Sequence, residues 1–218
     1  MDFRVISIGA LSAHELRNER GGAGDDGAIR SGHATTVLIE SIDDEGDPAR
    51  ILVDPGLPAA VLVPRLDERV GIGPGEITHV FLTDFGPERR RALEAFEAAE
   101  WLIHSVEREA VGVPLAQGLI RLSENFDEPD GDVERVLRRD IAMLERCRPA
   151  PDRLARGVDL FPLPGVTPGC CGLLVSGRQT VLVCGDAVPT VEHLAEGKVR
   201  KGAQDIEKAQ ESFREAIE

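Results

Sequence analysis

Short apolar segments that alternate with amphipathic ones constrain the fold of this chain more than any other feature. The segments typical of β-strands are residues 3–8, 35–40, 51–53, 79–82 and 101–103. Helical segments are predicted at residues 59–69 and 87–99, and the second begins with Pro87, which suits the first turn of a helix. Since strands and helices alternate along the chain, the sequence predicts an α/β fold.

The second half of the chain adds a helix, a hairpin and a terminal helix. Apolar residues recur at helical spacing at Val133, Val136, Leu137, Ile141 and Leu144. Residues 172–176 and 180–184 are apolar runs separated by three residues, which predicts a β-hairpin, and residues 203–217 predict a last helix. Loops are predicted at residues 20–27 and 149–157. The first is rich in glycine but lacks the Gly-Lys-Ser/Thr of a phosphate-binding loop. Because no domain boundary stands out, we expect one domain over residues 1–218.

The charge balance excludes several classes of partner. The 218 residues include 25 basic and 39 acidic side chains, a formal net charge of −14. A chain this acidic is poorly suited to bind nucleic acid or an anionic membrane. The first residues lack the basic and long apolar segments of a signal peptide, and the four cysteines show no C-x-x-C spacing. We therefore expect a cytoplasmic protein with reduced thiols.

Three motifs follow predicted strands and indicate a family. Residues 52–56 read LVDPG, residues 79–89 read HVFLTDFGPER, and residues 164–169 read PGVTPG ahead of VLVCGD at residues 181–186. In order and spacing, the chain resembles the metallo-β-lactamase fold superfamily, whose members read LVDTG, THxHxDH, PGHTPG and a hairpin followed by GD. The resemblance implies an αββα sandwich of two facing mixed sheets with helices outside. It also implies a metal cleft formed by loops at one edge of the sheets.

Most of the metal ligands of this family are replaced. By position, the resemblance assigns the cleft to Asp84, Gly86, Glu88, Arg89, Val166 and Asp186. Of these, only Asp186, the family's bridging carboxylate, is kept; Glu88 stands for an Asp and the other four stand for His. Gly86 and Val166 offer no ligand atom, and Arg89 is a permanent cation. Since zinc prefers imidazole and thiolate ligands, no family-type zinc site is expected. The family's last His follows a further helix and strand, and this sequence stops at Glu218 within what resembles that helix, so we expect the C-terminal strand of the fold to be missing.

Two functions compete for such a cleft. The first is a pseudoenzyme, a non-catalytic or ligand-binding relative without a cofactor, in which Arg89 replaces the metal and pairs with Asp186 or Glu88. The alternative is a metal-dependent hydrolase of a small ester, thioester or lactone. It would hold one divalent Mg²⁺ or Mn²⁺ ion through the oxygen atoms of Asp84, Glu88 and Asp186. The same side chains could also form a solvated salt-bridge cluster without function, so whether the protein is an enzyme stays open at this point.

Three further residues are candidates for the rim of the cleft or for support of its ligands. His33 precedes a core strand and is either a substrate contact, a general base or an ordinary loop residue. Asp54 matches a supporting carboxylate of the family, although its Asp-Pro-Gly sequence favours a role in the turn only. His193 lies on a predicted helix over residues 191–196, where we expect it at the surface. As partners we expect a small molecule or, through an open sheet edge, a second copy of the chain.

Overall fold

The computed structural model describes residues 1–11, 32–124 and 131–218. The loop predicted at residues 20–27 lies outside these ranges. A six-stranded sheet contains, in spatial order, β1 (Asp2–Ser7), β2 (Thr36–Ile42), β3 (Pro48–Val53), β4 (His79–Leu82), β5 (Glu100–Ile103) and β6 (Arg148–Pro149). Strands β1 to β3 pair antiparallel and strands β3 to β6 pair parallel, so this sheet is mixed, as predicted.

A second sheet has four strands. It contains β7 (Arg153–Ala155), β8 (Val158–Pro162), β9 (Cys171–Ser176) and β10 (Thr180–Val183), in the spatial order β10-β9-β8-β7. All of its described pairings are antiparallel, so this sheet is not mixed. The predicted hairpin is confirmed as the β9–β10 pair. The loop predicted at residues 149–157 is wrong in part, because β7 forms within it.

The central strands of the first sheet are buried on both faces. In β3, Leu52 packs against the outer core, whereas Ile51 and Val53 pack against the core between the two sheets. The same alternation holds in β4, where Val80 faces outward and Phe81 faces the second sheet. Side chains of a strand alternate between its two faces. The near-continuous apolar runs of these strands therefore reflect a sheet covered on both sides.

Five α-helices lie in the described part of the chain. They are α1 (Ala59–Val70), α2 (Ser105–Glu124), α3 (Gly131–Arg146), α4 (Val191–Glu196) and α5 (Ile206–Ile217). Helices α1 and α3 contribute buried side chains to the outer core of the first sheet. Helix α2 was not predicted, because Gly112, Pro114 and Gly118 lower the helix propensity of its sequence. None of the helices in the described ranges is long and apolar enough to cross a membrane.

The helix predicted at residues 87–99 is wrong. The chain forms turns there and one 3-10 helix, Leu93–Phe96. The cause is that Arg89 and Arg90 are consecutive and both buried, and their side chains contact different parts of the fold. Arg89 reaches carboxylates at the strand ends, whereas Arg90 donates to both oxygens of Asp140 on α3, at 2.7 and 2.9 Å. These buried, charge-assisted contacts outweigh the helical propensity of the segment.

Candidate functional site

Three carboxylates from separate loops meet at one edge of the two sheets. Asp54 directly follows β3, Asp84 lies two residues after β4, and Asp186 lies in a 3-10 helix after β10. Because β3 and β4 are parallel neighbours, their carboxyl ends lie at the same edge. The three side chains are buried, with exposed fractions of 2%, 3% and 8% for the whole residues. Buried carboxylates in such a group require a nearby cation.

Arg89 supplies that cation. Its Nη1 lies 3.1 Å from Asp54 Oδ2, and its Nε donates a hydrogen bond to Asp84 Oδ2. Its Nη2 lies 2.5 Å from Asp186 Oδ1, an ion pair without the alignment of a hydrogen bond. Each guanidinium nitrogen therefore faces a different carboxylate, and Arg89 itself is only 3% exposed. The planar fork of an arginine suits this arrangement in a way that a lysine ammonium does not.

The turn after β3 fixes the direction of the Asp54 carboxylate. Asp54 adopts a left-handed backbone conformation, with φ of 50°, which aspartate tolerates better than most residues. Its carbonyl accepts the Thr36 hydroxyl at 2.7 Å. Its Oδ1 accepts the Thr83 backbone N–H at 2.9 Å, and its Oδ2 accepts the Thr83 hydroxyl at 2.8 Å. The expectation that Asp54 serves the turn only is therefore wrong, since the same carboxylate also holds Arg89.

A side chain at the position of Gly86 would crowd two carboxylates in the turn after β4. Asp84 Oδ1 accepts the Gly86 N–H at 2.7 Å. A Cβ atom on Gly86 would lie 2.8 Å from that oxygen and 2.9 Å from Glu88 Oε1, closer than real side chains allow. A histidine there would have to displace both carboxylates. Glu88 is half-buried and, among the described residues, makes no ion pair, so Arg89 pairs with Asp186 and not with Glu88.

A second arginine, which the sequence analysis missed, completes the cluster. Arg200 donates a hydrogen bond through Nη1 to Asp186 Oδ2, on the side of that carboxylate away from Arg89. Arg200 lies in the loop between α4 and α5, and no motif marks it in the sequence. The cluster thus contains three carboxylates and two guanidinium groups, which leaves one net negative charge when all are ionised.

Burial and the two arginines set the protonation of the cluster. Burial raises the pKa of Asp84 to about 7, against the opposing effect of Arg89, and burial likewise raises the pKa of Asp54. Burial also acts to raise the pKa of Asp186, but Arg89 and Arg200 together outweigh it and hold that pKa below its ordinary value. For Arg89, burial is outweighed by the three carboxylates, so its pKa lies well above the ordinary value. Arg89 therefore stays charged at any physiological pH.

Another buried carboxylate joins the loops behind the cluster. Glu107, on α2, is 1% exposed and accepts the N–H of Phe85 and the N–H of Gly169, each at 3.1 Å. It ties the turn after β4 to the turn that contains Val166. No sequence motif marks Glu107 for this role, and the helix that contains it was not predicted.

The remaining candidates lie around the cluster with separate roles. Val166 is buried and lines a cavity of about 370 Å³, which Asp84, Gly86 and Glu88 also line. His33 lines a second cavity, of about 640 Å³, with its Nε2 3.1 Å from the Ile8 carbonyl. His193 is fully buried and its Nδ1 lies 2.9 Å from the Thr190 hydroxyl, so the expectation of a surface histidine is wrong. It sits at the start of α4, where Thr190 caps the helix.

Comparison with known proteins gives structural neighbours only. No protein-family model matches the chain, and none of the curated proteins does. A candidate metallo-β-lactamase from Thermotoga maritima matches 99% of this chain and 91% of its own, with a TM-score of 0.63 and 18% identity. AiiA from B. thuringiensis, with N-decanoyl-L-homoserine at its active site, matches 84% and 74%, with a TM-score of 0.58 and 20% identity. AidC, a dizinc quorum-quenching lactonase, matches 83% and 66%, with a TM-score of 0.54 and 17% identity.

The two sheets, the order of the motifs and these neighbours define the class: the chain has the metallo-β-lactamase fold. At these identities the likeness establishes the fold and not the activity. The side chains at the cleft do not fit two zinc ions. Within the described ranges, no three His, Cys, Asp or Glu side chains are arranged to hold a metal ion, and a guanidinium lies between the carboxylates.

Proposed function

We propose that this protein is a non-hydrolytic relative of the metallo-β-lactamases that binds a ligand in its cleft without a metal. The observation that supports the proposal is the position of Arg89, whose guanidinium contacts Asp54, Asp84 and Asp186 at once. A guanidinium can neutralise these carboxylates as a metal would. It cannot bring a bound water to a pKa near 7, which is what zinc does for hydrolysis.

Competition with Arg89 is the physical reason why a metal is not expected. A divalent ion at this place would have to displace a guanidinium that is tethered to the chain, permanently charged and already held by three carboxylates. Displacing it would leave a buried cation without partners, at a cost of several kcal/mol. At two of the four positions where the family has an imidazole, Gly86 and Val166 supply no side-chain ligand atom. The remaining side chains provide too few metal ligands to offset that cost.

The second candidate is a hydrolase of a small ester, thioester or lactone with one divalent ion on Asp84, Glu88 and Asp186. The half-buried Glu88 carboxylate favours it, because among the described residues this group has no ion-pair partner. Against it, Asp84 already binds Arg89, and Asp186 binds both Arg89 and Arg200. Only one of the three carboxylates is therefore free to coordinate an ion.

A hydrolysis assay separates the two candidates. The purified protein is tested on a nitrophenyl ester, a thioester and a lactone, each with no added metal and with Zn²⁺ or Mn²⁺. We expect no turnover above that of the buffer in any condition. Turnover that requires added metal and disappears in Asp186→Asn would establish the hydrolase instead, because Asp186 is the retained metal-bridging position.

A further inference from the structure

Helix α2 is apolar on its outer side as well as on the side that packs against the rest of the chain. Residues 110–120 of this helix contain no charged side chain, although 29% of all residues are charged. On the inner side, Val111 and Leu115 pack against the outer core of the first sheet. Gly112 and Gly118 face leucine side chains of α3. The inner side of α2 therefore has its partners within the chain.

The outer side of α2 carries a stripe of exposed apolar side chains. Val106, Val113 and Ile120 are 45%, 59% and 55% exposed. Because they follow one another at seven-residue intervals, they lie on one side of the helix, and Ala110 and Ala116 flank them. A helix at the surface of a globular protein usually presents polar residues outward. A continuous apolar stripe there indicates a face that another surface covers.

One charged residue lies towards each end of this stripe. Glu109 and Arg121 are exposed, and within the described ranges neither makes an ion pair. They are separated by about 18 Å along the helix axis. Two α2 helices packed parallel would place like charges at the same level. Packed antiparallel, they bring each Glu109 to the level of Arg121 of the second copy. The charges of this face are therefore complementary to the same face in the opposite orientation.

We propose that the outer side of α2 is a dimerisation surface, on which the α2 helices of two copies of this chain pack antiparallel about a twofold axis near Leu115. In this arrangement, the larger Ile120 and Val113 of one copy lie at about the level of the small Ala110 and Ala116 of the other. Large side chains thus meet small ones, which lets the two helices approach closely. A twofold contact uses the same surface on both copies, so it forms a closed dimer.

The charges of the chain favour a second copy over a lipid surface as the occupant of this face. A net charge of −14 disfavours binding to an anionic membrane. Two acidic chains also repel each other, but the stripe carries no charge between Glu109 and Arg121, and the two ion pairs across the dimer offset part of the repulsion. A single pair of helices forms a small interface, so we expect a dissociation constant in the micromolar range.

The proposal goes beyond the proposed function and does not depend on it. Of the side chains on the outer side of α2, none lines either of the two described cavities at the cleft. The oligomeric state can therefore be measured on the metal-free chain, and its outcome leaves the question of a ligand or a metal in the cleft untouched.

The test is sedimentation velocity of the full chain at about 0.15 M salt, over protein concentrations from about 1 to 200 µM. We expect the mass of a monomer at the lowest concentration and that of a dimer at the highest. Val113→Asp places a carboxylate in the middle of the stripe and should weaken the dimer about tenfold or more. Val61→Asp is the matched control, because Val61 is a 42% exposed valine on α1. It should change the dissociation constant less than about twofold.

Reversal of the two charges tests the antiparallel orientation. Glu109→Arg and Arg121→Glu each place like charges together across the antiparallel dimer, so each should weaken it about fivefold or more. An equimolar mixture of the two variants should dimerise within about twofold of the unmodified chain, because every arginine then meets a glutamate. Far-UV circular dichroism checks that each variant keeps its helices, which we expect because both positions are exposed.

The proposal is overturned if the unmodified chain stays monomeric over the whole concentration range, or if Val113→Asp dimerises as the unmodified chain does. It is likewise overturned if the two charge variants dimerise as well alone as in the mixture, since the ends of the helices would then not meet. A monomer that co-floats with phosphatidylcholine vesicles, and loses this property in Val113→Asp, would assign the stripe to a lipid surface instead.

Discussion

Removing the Arg89 side chain tests whether a guanidinium takes the electrostatic place of the metal. In Arg89→Ala, the carboxylates of Asp54, Asp84 and Asp186 stay buried but lose their common cation. Breaking one buried ion pair costs about 3–5 kcal/mol. The three contacts share one partner and are not additive, so we take this value as the minimum loss at pH 8. For a chain of 218 residues it corresponds to a fall in Tm of about 6–20 °C.

The same variant should gain what the unmodified chain lacks, an affinity for a hard divalent cation. The vacated space is surrounded by oxygen atoms, which Mn²⁺ and Mg²⁺ prefer as ligands. Mn²⁺ at a hundred times its Kd would restore about 2.7 kcal/mol of the free energy of unfolding. The assay is thermal unfolding at pH 8 with and without Mn²⁺. Arg89→Lys, which keeps one positive charge, should lose less stability and gain no affinity for Mn²⁺.

An exposed arginine provides the control. Arg139 also pairs with a carboxylate, that of Glu94, but its side chain is 57% exposed, so Arg139→Ala should cost no more than about 1 kcal/mol. The reasoning is refuted if Arg89→Ala unfolds within about 2 °C of the unmodified chain, a shift that corresponds to less than 1 kcal/mol, and shows no response to Mn²⁺.

Two further changes probe the groups around Arg89. Because burial raises the pKa of Asp84 to about 7, the stability that this group contributes is complete at low pH and is lost as the pH rises towards 7. From pH 5 to pH 7, the free energy of unfolding of the unmodified chain, measured in urea, should fall by about 2 kcal/mol more than that of Asp84→Asn. The control is Asp67→Asn at an exposed position, which should follow the unmodified chain. Glu107→Ala leaves the buried N–H groups of Phe85 and Gly169 without an acceptor and should cost about 2–6 kcal/mol in the same assay; a cost under about 1 kcal/mol would show that water replaces the carboxylate.

The sequence predicted seven of the described strands, β1 to β5, β9 and β10, because their apolar pattern leaves few alternatives, but it missed β6, β7 and β8. Residues buried on both faces, such as Leu52 and Phe81, make short continuous runs, and the motif that follows each run marks its end. The same reasoning gave a wrong prediction for the segment after β4, where no α-helix forms at residues 87–99. Its proline and glutamate suit a helix start, but the buried contacts of Arg89 and Arg90 are tertiary interactions, and local periodicity carries no information about them.

The sequence likewise predicted some residues of the candidate site and missed others. The motif positions identified Asp84, Arg89 and Asp186 because each follows a strand at a spacing set by the fold. Asp54 was placed correctly along the chain, but its ion pair with Arg89 depends on a left-handed turn that the Asp-Pro-Gly sequence does not specify. Arg200 lies 14 residues beyond Asp186 in a connecting loop, so only the three-dimensional arrangement brings it to the cluster.

The central claim is that Arg89, and not a metal ion, neutralises the carboxylates of the cleft. The most direct test is elemental analysis by inductively coupled plasma mass spectrometry. The protein is expressed in medium with added zinc and manganese, purified without chelators, and compared with Arg89→Ala treated in the same way. We predict far less than one equivalent of either metal in the unmodified chain and bound metal in Arg89→Ala only. One equivalent or more of zinc or manganese in the unmodified chain would contradict the account.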